Sequence, residues 1–252
     1  MNNNPFLKGL PTMYWINLER AEERRTNMLN NLNNYELRNV RINGFDGKYN
    51  EIPDWIIQNK KNEKIDTCIC ISHINAIKKF LENNESIGLI CEDDLSFDYC
   101  EYWNENIMNI VDRLPSDWEV FQMSVVITTQ YGIKKHLRNK QDFMRRQNYQ
   151  FGATAYLITR EGAQRLINLY EREEDGKIIL DFSKPKANDP KVFRSTSEHI
   201  VFGSLVTYTM RLPYFTYSDF DISNSAHQNS ESHIFSNCKK EIENAWIQNN
   251  KK

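Results

Sequence analysis

No apolar run in this chain of 252 residues approaches the roughly 18–20 residues needed to cross a bilayer, so no membrane-spanning helix is expected. The first residues, Met1 to Pro5, are polar, and the early apolar run Met13–Ile16 is far too short for a secretory leader. Cysteine is sparse and odd in number, five in all. Cys68 and Cys70 form one close pair where a structural zinc site would want two, and Cys91, Cys100 and Cys238 are scattered. Reduced thiols in a cytoplasmic setting are the expectation. Neither sign of charge dominates: 32 Lys and Arg face 34 Asp and Glu, for a net charge of −2. That excludes a surface attracting nucleic acid as a whole, although a local basic patch stays open. Several catalytic signatures are missing too. There is no H-E-x-x-H, no G-x-x-x-x-G-K-[ST], no G-x-G-x-x-G, no G-x-S-x-G and no H-x-D.

What the chain does have is 40% hydrophobic and 12% aromatic residues, enough for a sizeable core. Asn is abundant, 30 residues, which dilutes the meaning of any single one. No repeat or linker divides the sequence, so residues 1–252 are expected to form one domain ending in a tail helix at 233–252. Strands are predicted at 13–16, 40–42, 87–91, 118–123 and 153–158. Helices are predicted at 19–34, 71–82, about 98–113 and from Thr159 onward, where Ala163, Leu166, Ile167 and Tyr170 repeat at helical spacing. Residues 48–66 read as polar connection, and the basic stretch 133–146 shows no clean period. Alternating strands and helices predict an α/β layered fold on a mixed, mostly parallel sheet.

The most prominent chemistry is Glu92-Asp93-Asp94 at the end of the apolar strand Ile87–Cys91. Ligands bind at that edge of open α/β sheets. Three adjacent carboxylates repel one another, and near a cleft they favour a hard cation such as Mn²⁺ or Mg²⁺. Strand alternation sends Glu92 and Asp94 to one side and Asp93 to the other. The bland alternative is a solvated acidic exit or a helix cap. At the end of the first strand, Asn17 and Leu18 open a polar turn followed by Arg20, Arg24 and Arg25, whose guanidinium groups suit a nucleotide's phosphate or base. A solvated helix face with ion pairs is the competing reading for each arginine. Asp46 is a further nucleotide candidate, although Asp-Gly is turn chemistry first. The basic segment Lys134, Lys135, His136, Arg138, Lys140, Arg145 and Arg146 is either a solvated loop or a local field for an anionic substrate.

Five ordered blocks carry a resemblance. Tyr14-Trp15-Ile16-Asn17-Leu18-Glu19-Arg20 with Arg24-Arg25, Phe45-Asp46-Gly47, Cys70-Ile71-Ser72-His73, Leu89-Ile90-Cys91-Glu92-Asp93-Asp94-Leu95, and Gly152-Ala153-Thr154-Ala155-Tyr156-Leu157-Ile158-Thr159 resemble the family 25 glycosyltransferases. This group includes lipooligosaccharide and procollagen hydroxylysine galactosyltransferases. The likeness runs from about 14 to 205. The Asn- and Lys-rich composition and the tail with His227 and His233 are similar to a large-DNA-virus branch. Two departures stand out: Ile69-Cys70 replaces the usual Gly-Cys, and Glu198 stands where the family usually has Asp.

The resemblance implies a GT-A-like, Rossmann-like domain. It would transfer a hexose, galactose or glucose, from a UDP-sugar to a hydroxyl of a glycan or glycoprotein, with inversion. It implies Mn²⁺ (or Mg²⁺) held by Glu92, Asp94 and His227, and donor contacts from Asn17, Leu18, Arg20, Arg25, Asp46, Ser72, His73 and Asp93. Either Glu198 or Asp93 would be the base. A homodimer is compatible with this reading, as is a location in a host cytoplasm. A non-catalytic sugar-nucleotide or glycan-binding protein on the same fold is the alternative. For Ser72 and His73, a packed, hydrogen-bonded role at the start of a helix competes with direct involvement. For His227 and His233, surface positions compete.

Overall fold

The computed structural model describes residues 4–183, 195–218 and 232–251. The first strand, β1 (Met13–Asn17), is buried along its whole length and leads into α1 (Glu22–Asn34). Next come β2 (Asn39–Asn43), the short β3 (Ile56–Ile57) and α2 (Lys64–Leu81). Strand β4 (Ile87–Glu92) ends in the acidic turn, and β5 (Leu95–Ser96) follows at once. The middle of the chain holds α3 (Ile107–Val111), β6 (Val120–Gln122), α4 (Gln130–Leu137) and β7 (Phe143–Arg145). Then follow β8 (Ala155–Thr159), α5 (Arg160–Tyr170) and the hairpin β9 (Glu171–Glu174) with β10 (Lys177–Asp181). The last elements are α6 (Ser197–Val201), β11 (Thr207–Met210), β12 (Thr216–Tyr217) and α7 (Ser232–Asn249).

Seven strands form the main sheet in the order β2-β1-β4-β8-β6-β11-β7. The pairs β1–β2, β1–β4 and β6–β11 are parallel, whereas β4–β8, β6–β8 and β7–β11 are antiparallel. Five of the seven strands, β2, β1, β4, β6 and β11, point the same way while β8 and β7 run against them, so the sheet is mixed and mostly parallel, as expected. Alternation along the strands divides the core into two layers. Met13, Trp15, Leu89, Cys91, Ala155, Leu157 and Phe121 face one layer, which is filled by Met28 and Leu32 of α1, Ile107 and Ile110 of α3, and Cys238, Ile242 and Trp246 of α7. Tyr14, Ile16, Ile90, Tyr156, Ile158 and Val120 face the other, filled by α2, α5 and α6.

Four local expectations are corrected. Helix α2 starts at Lys64 rather than 71, because Glu63 and Asp66 form a reciprocal capping box and Thr67 and Cys68 are already buried. The long helix expected over 98–113 is two short pieces. A single 3-10 turn at Cys100–Tyr102 ends where Trp103 is extended, and Asn106 then caps α3 through its bond from Met108 N at 2.7 Å. Trp103 is buried instead, with its indole N–H on the Tyr214 carbonyl at 3.0 Å. The basic stretch 133–146 begins inside α4, which is capped by Thr129 and faces inward with Ile133 and His136, and goes on to β7. Within the connection 48–66, β3 pairs with β10 as part of a small second sheet. The tail helix forms as α7, with Cys238, Ile242 and Trp246 buried.

Candidate active site

The carboxyl ends of β1, β2 and β4 lie side by side, since Ile16 pairs with Glu92 and Asn17 with Asn43. This places the turn after Asn17, the 43–47 turn and the acidic triplet at one sheet edge. Alternation distributes the acids. Glu92 shares the face of Ile90 and meets α2, while Asp93 shares the face of Cys91 and meets α1.

Asp93 is clamped. Asn17 donates to its Oδ2 at 2.6 Å, and Arg24 Nη1 lies 3.3 Å from its Oδ1. Asn17 itself is buried, with Nδ2 also reaching the Ala21 carbonyl at 3.1 Å and Oδ1 accepting from Arg41 Nε at 3.0 Å. Both amide protons of this predicted donor contact are thus used inside the protein. Burial pushes the Asp93 carboxyl above the ordinary range, outweighing Arg24 and Asn17.

Asp94 is the more exceptional group. Its Oδ1 is buried without a hydrogen-bond partner. Burial first, then the charges of Glu92 and Asp93, push its carboxyl well above the usual range, with Arg24 opposing. Its backbone carbonyl accepts from Ser218 N at 2.7 Å and Ser218 Oγ at 3.1 Å. Glu92 accepts from the buried His73 ring, with Oε1 to Nε2 at 3.0 Å. Among the described residues, no group of three or more His, Cys, Asp or Glu is arranged to hold a metal ion. His227, named from sequence as a ligand, lies outside the described residues. What does fit a cation is the donor set: hard carboxylate oxygens, one of them buried and unpartnered.

The remaining candidates have internal partners. Arg20 Nε pairs with Asp46 Oδ2 at 2.6 Å, and Asp46 Oδ1 accepts from Lys48 N at 3.0 Å, so this pair ties two loops of the edge together. Arg25 lies 3.2 Å from Glu19 and 3.8 Å from Glu22. Leu18 packs close to Gly44, where an added Cβ would come within 3.0 Å of its Cδ2. Ser72 Oγ accepts from Phe45 N and donates to the Cys68 carbonyl, each at 2.8 Å, fastening the 43–47 turn to α2. Arg24, a candidate nucleotide contact by sequence, meets Asp93 instead, and Tyr156 and Arg41 join the site although neither is a candidate by sequence. A tyrosine inside a strand as apolar as β8 was the available signal, because a buried phenol needs a partner.

Glu198 lies in the first turn of α6. Its Oε1 is 3.4 Å from Gly152 N and its Oε2 is 3.3 Å from Ser197 Oγ. Burial would push this carboxyl up. Its backbone hydrogen bond, Thr196, and the charges of His199 and Arg146 prevail and hold it below the usual value. Arg146 sits over the Phe202 ring at 5.2 Å, with Nε on the Gln150 carbonyl at 3.0 Å, and burial lowers it to about 10. Two residues beyond Gly152, the Thr154 carbonyl accepts from Glu92 N at 3.0 Å. The segment 152–154 therefore links Glu198 to the acidic turn.

The sequence model of Glycosyltransferase family 25 (LPS biosynthesis protein) matches residues 10–181. The chain belongs to glycosyltransferase family 25. Mouse procollagen galactosyltransferase 2 is 22% identical over 179 residues, covering 65% of this chain and 28% of that protein. The chain thus spans little more than a quarter of that relative's length. Among solved structures, the apo-form glycosyltransferase GlyE of Streptococcus pneumoniae TIGR4 is similar at a TM-score of 0.41 and 10% identity, over 96% of this chain and 64% of that one. The inositol-1-phosphate CTP transferase of T. maritima gives 0.37 and 8%, over 93% and 98%. The matched family segment contains β1, α2, β4 and β8, and so the acidic turn; Glu198 lies outside it. Among the described residues, no helix is long and apolar enough to cross a membrane.

Proposed function

We propose that the protein transfers a hexose from a UDP-sugar to a hydroxyl acceptor, with inversion and with a divalent cation. The observation that carries this reading is Asp94: a buried, unpartnered carboxylate oxygen beside two further acids, at a ligand-binding sheet edge, in a glycosyltransferase family. Such a group raises the energy of the empty site and is relieved by a cation. Glu92 and Asp94 would hold Mn²⁺ or Mg²⁺, which when bound supplies charge to the leaving diphosphate.

The chain's own residues divide the remaining work. Asp93, held on both oxygens by Asn17 and Arg24, fixes the acidic turn against β1 and is poorly placed to take up a proton. Glu198 is the better base: its carboxyl is held ionised at neutral pH, and it accepts from Gly152 in the segment whose Thr154 carbonyl holds Glu92 N. The acceptor proton passes to Glu198 as the acceptor oxygen bonds to the anomeric carbon and the bond from that carbon to the diphosphate breaks, releasing UDP. Galactose, named for the mouse relative, and glucose are the first donors to try.

Calorimetry of UDP binding with Mn²⁺ and with EDTA tests the site, and a UDP-sugar panel read by UDP release tests the reaction. Equal UDP affinity in Mn²⁺ and EDTA would remove the cation from the proposal. Cation-dependent UDP binding with no transfer across donors and acceptors would favour the non-catalytic binding protein.

A further inference from the structure

The buried ring of His73 has both nitrogens engaged. Nδ1 is 3.1 Å from the Tyr156 hydroxyl, and Nε2 is 3.0 Å from Glu92 Oε1. Neither His73 nor Tyr156 has measurable exposure to solvent. These residues come from three elements: α2, β8 and the end of β4. Register explains the meeting, because Tyr156 is paired with Ile90 across β4–β8 and so shares the face on which Glu92 lies.

The direction of the hydrogen bonds follows from what each group can give. Carboxylate Oε1 only accepts, so Nε2 carries the proton toward it. A neutral ring then accepts at Nδ1, and the Tyr156 hydroxyl donates there. With the opposite polarity, Nδ1 would donate to the phenol, whose own proton would need a second acceptor in the apolar layer around it. No other partner of the phenol is seen among the described residues. One chain of donors results, Tyr156 to His73 to Glu92, with the ring fixed as its Nε2–H tautomer.

We propose that His73, backed by Tyr156, is a positioning residue for Glu92: it holds Oε1 and turns Oε2 toward the acidic edge as the single ligating oxygen. The inference rests on the cation reading above and gives His73 a different role from the donor contact expected from sequence. The histidine does not touch the nucleotide. It acts through the carboxylate, as the outer partners of metal ligands do elsewhere, where their loss typically costs about 10–100-fold in metal affinity.

Two measurements on the full chain test it. Long-range ¹H–¹⁵N correlation of the histidine rings should show His73 as the Nε2–H tautomer, and Tyr156→Phe should disturb that assignment. Mn²⁺ titration followed by electron paramagnetic resonance, without nucleotide, should show about 10–100-fold weaker binding for His73→Leu. His73→Gln, which keeps a donor near the Nε2 position, should stay within several-fold of wild type, and so separates loss of the donor from general damage to α2. Tyr156→Phe should fall between the two. A folded His73→Leu that binds Mn²⁺ as wild type does, or a His73 ring protonated on Nδ1 alone, would overturn the proposal while leaving the cation reading intact. A wild-type protein that binds no Mn²⁺ would overturn both, whatever the ring tautomer.

Discussion

Arg24 places Nη1 3.3 Å from Asp93 Oδ1, while its own Nε is buried without a hydrogen-bond partner. Asp94 Oδ1, next along the chain, is likewise buried and unpartnered. A donor and an acceptor are thus left unmatched on the two sides of one clamped carboxylate. Interiors rarely leave such atoms unmatched, since each costs on the order of 1–3 kcal/mol. Their coincidence beside the acidic turn is what the proposed ligand-binding edge calls for.

Asp94→Asn should separate function from stability. Removing a buried charge that Glu92 and Asp93 oppose should leave the metal-free protein as stable as wild type or more so, by about 1 kcal/mol. Stabilisation of the fold by Mn²⁺ with UDP should disappear in the same variant. Thermal melts with and without both ligands check this. Lower stability of Asp94→Asn in the absence of ligand would show that the carboxylate serves the fold.

His136 predicts an acid limb of stability. Its ring is buried, with Nε2 2.9 Å from the Arg211 carbonyl and Nδ1 2.8 Å from Gln150 Nε2, an arrangement that suits the neutral form. Burial lowers its pKa from 6.5 to about 4. The unfolded chain therefore binds a proton between those values that the native state refuses. Stability is present above about pH 6.5 and is lost as pH falls toward 4, by on the order of 3 kcal/mol for this group. Asp93 and Asp94, whose values are raised, act with the opposite sign, so the wild-type curve alone is ambiguous. The difference between wild type and His136→Gln in urea denaturation at pH 4.5, 5.5 and 7 isolates the histidine. Parallel curves would remove it as the cause.

Gly152 should tolerate no side chain. Its φ is +93°, and an added Cβ would lie 3.3 Å from both Val126 N and Val126 Cγ2. Gln122 Nε2 holds this turn through the Phe151 and Gly152 carbonyls at 2.8 and 3.0 Å, and Thr209 Oγ1 holds Gln122 in turn at 2.8 Å. Gly152→Ala should cost roughly 1–3 kcal/mol and move Glu198 with it. A variant that melts and turns over like wild type would show the turn to be more forgiving than its backbone suggests.

The parts of the fold legible in the sequence are those whose signal is local. Strands β1 and β4 are unbroken apolar runs, and α5 repeats Ala163, Leu166, Ile167 and Tyr170 beneath a threonine cap. The first two turns of α2 escaped because Lys64, Ile65 and Asp66 show no apolar period; a capping box starts them. Helix α3 is shorter than the 98–113 expected from sequence because Trp103 is extended and its indole turns into the core. The acidic turn was visible as a strand ending in three acids. Its partners were not: His73 and Glu92 are 19 residues apart, and Tyr156 lies 83 from His73. Only the register of β4 against β8 brings these together. The arginines were similarly undecided, since Arg20, Arg24 and Arg25 look alike until α1 turns Arg24 alone toward Asp93.

Glu198 decides between an enzyme and a binding protein. Glu198→Gln keeps the shape and an oxygen to accept from Gly152 N, but removes the proton acceptor. UDP-sugar binding should stay within a few-fold, while transfer should fall by on the order of 10²–10⁴, the usual contribution of a positioned base. Glu198→Asp, one methylene shorter, should retain appreciable turnover, as the family's usual residue would. The competing role is structural: Glu198 sits in the first turn of α6, where its carboxylate also favours the helix terminus. Were that its whole contribution, the Gln variant would lose a few tenths of a kcal/mol in a melt and nothing in rate. Transfer by Glu198→Gln at the wild-type rate would strike Glu198 from the mechanism. The search for a base would then return to Asp93, whose release from Arg24 and Asn17 the reaction would have to include.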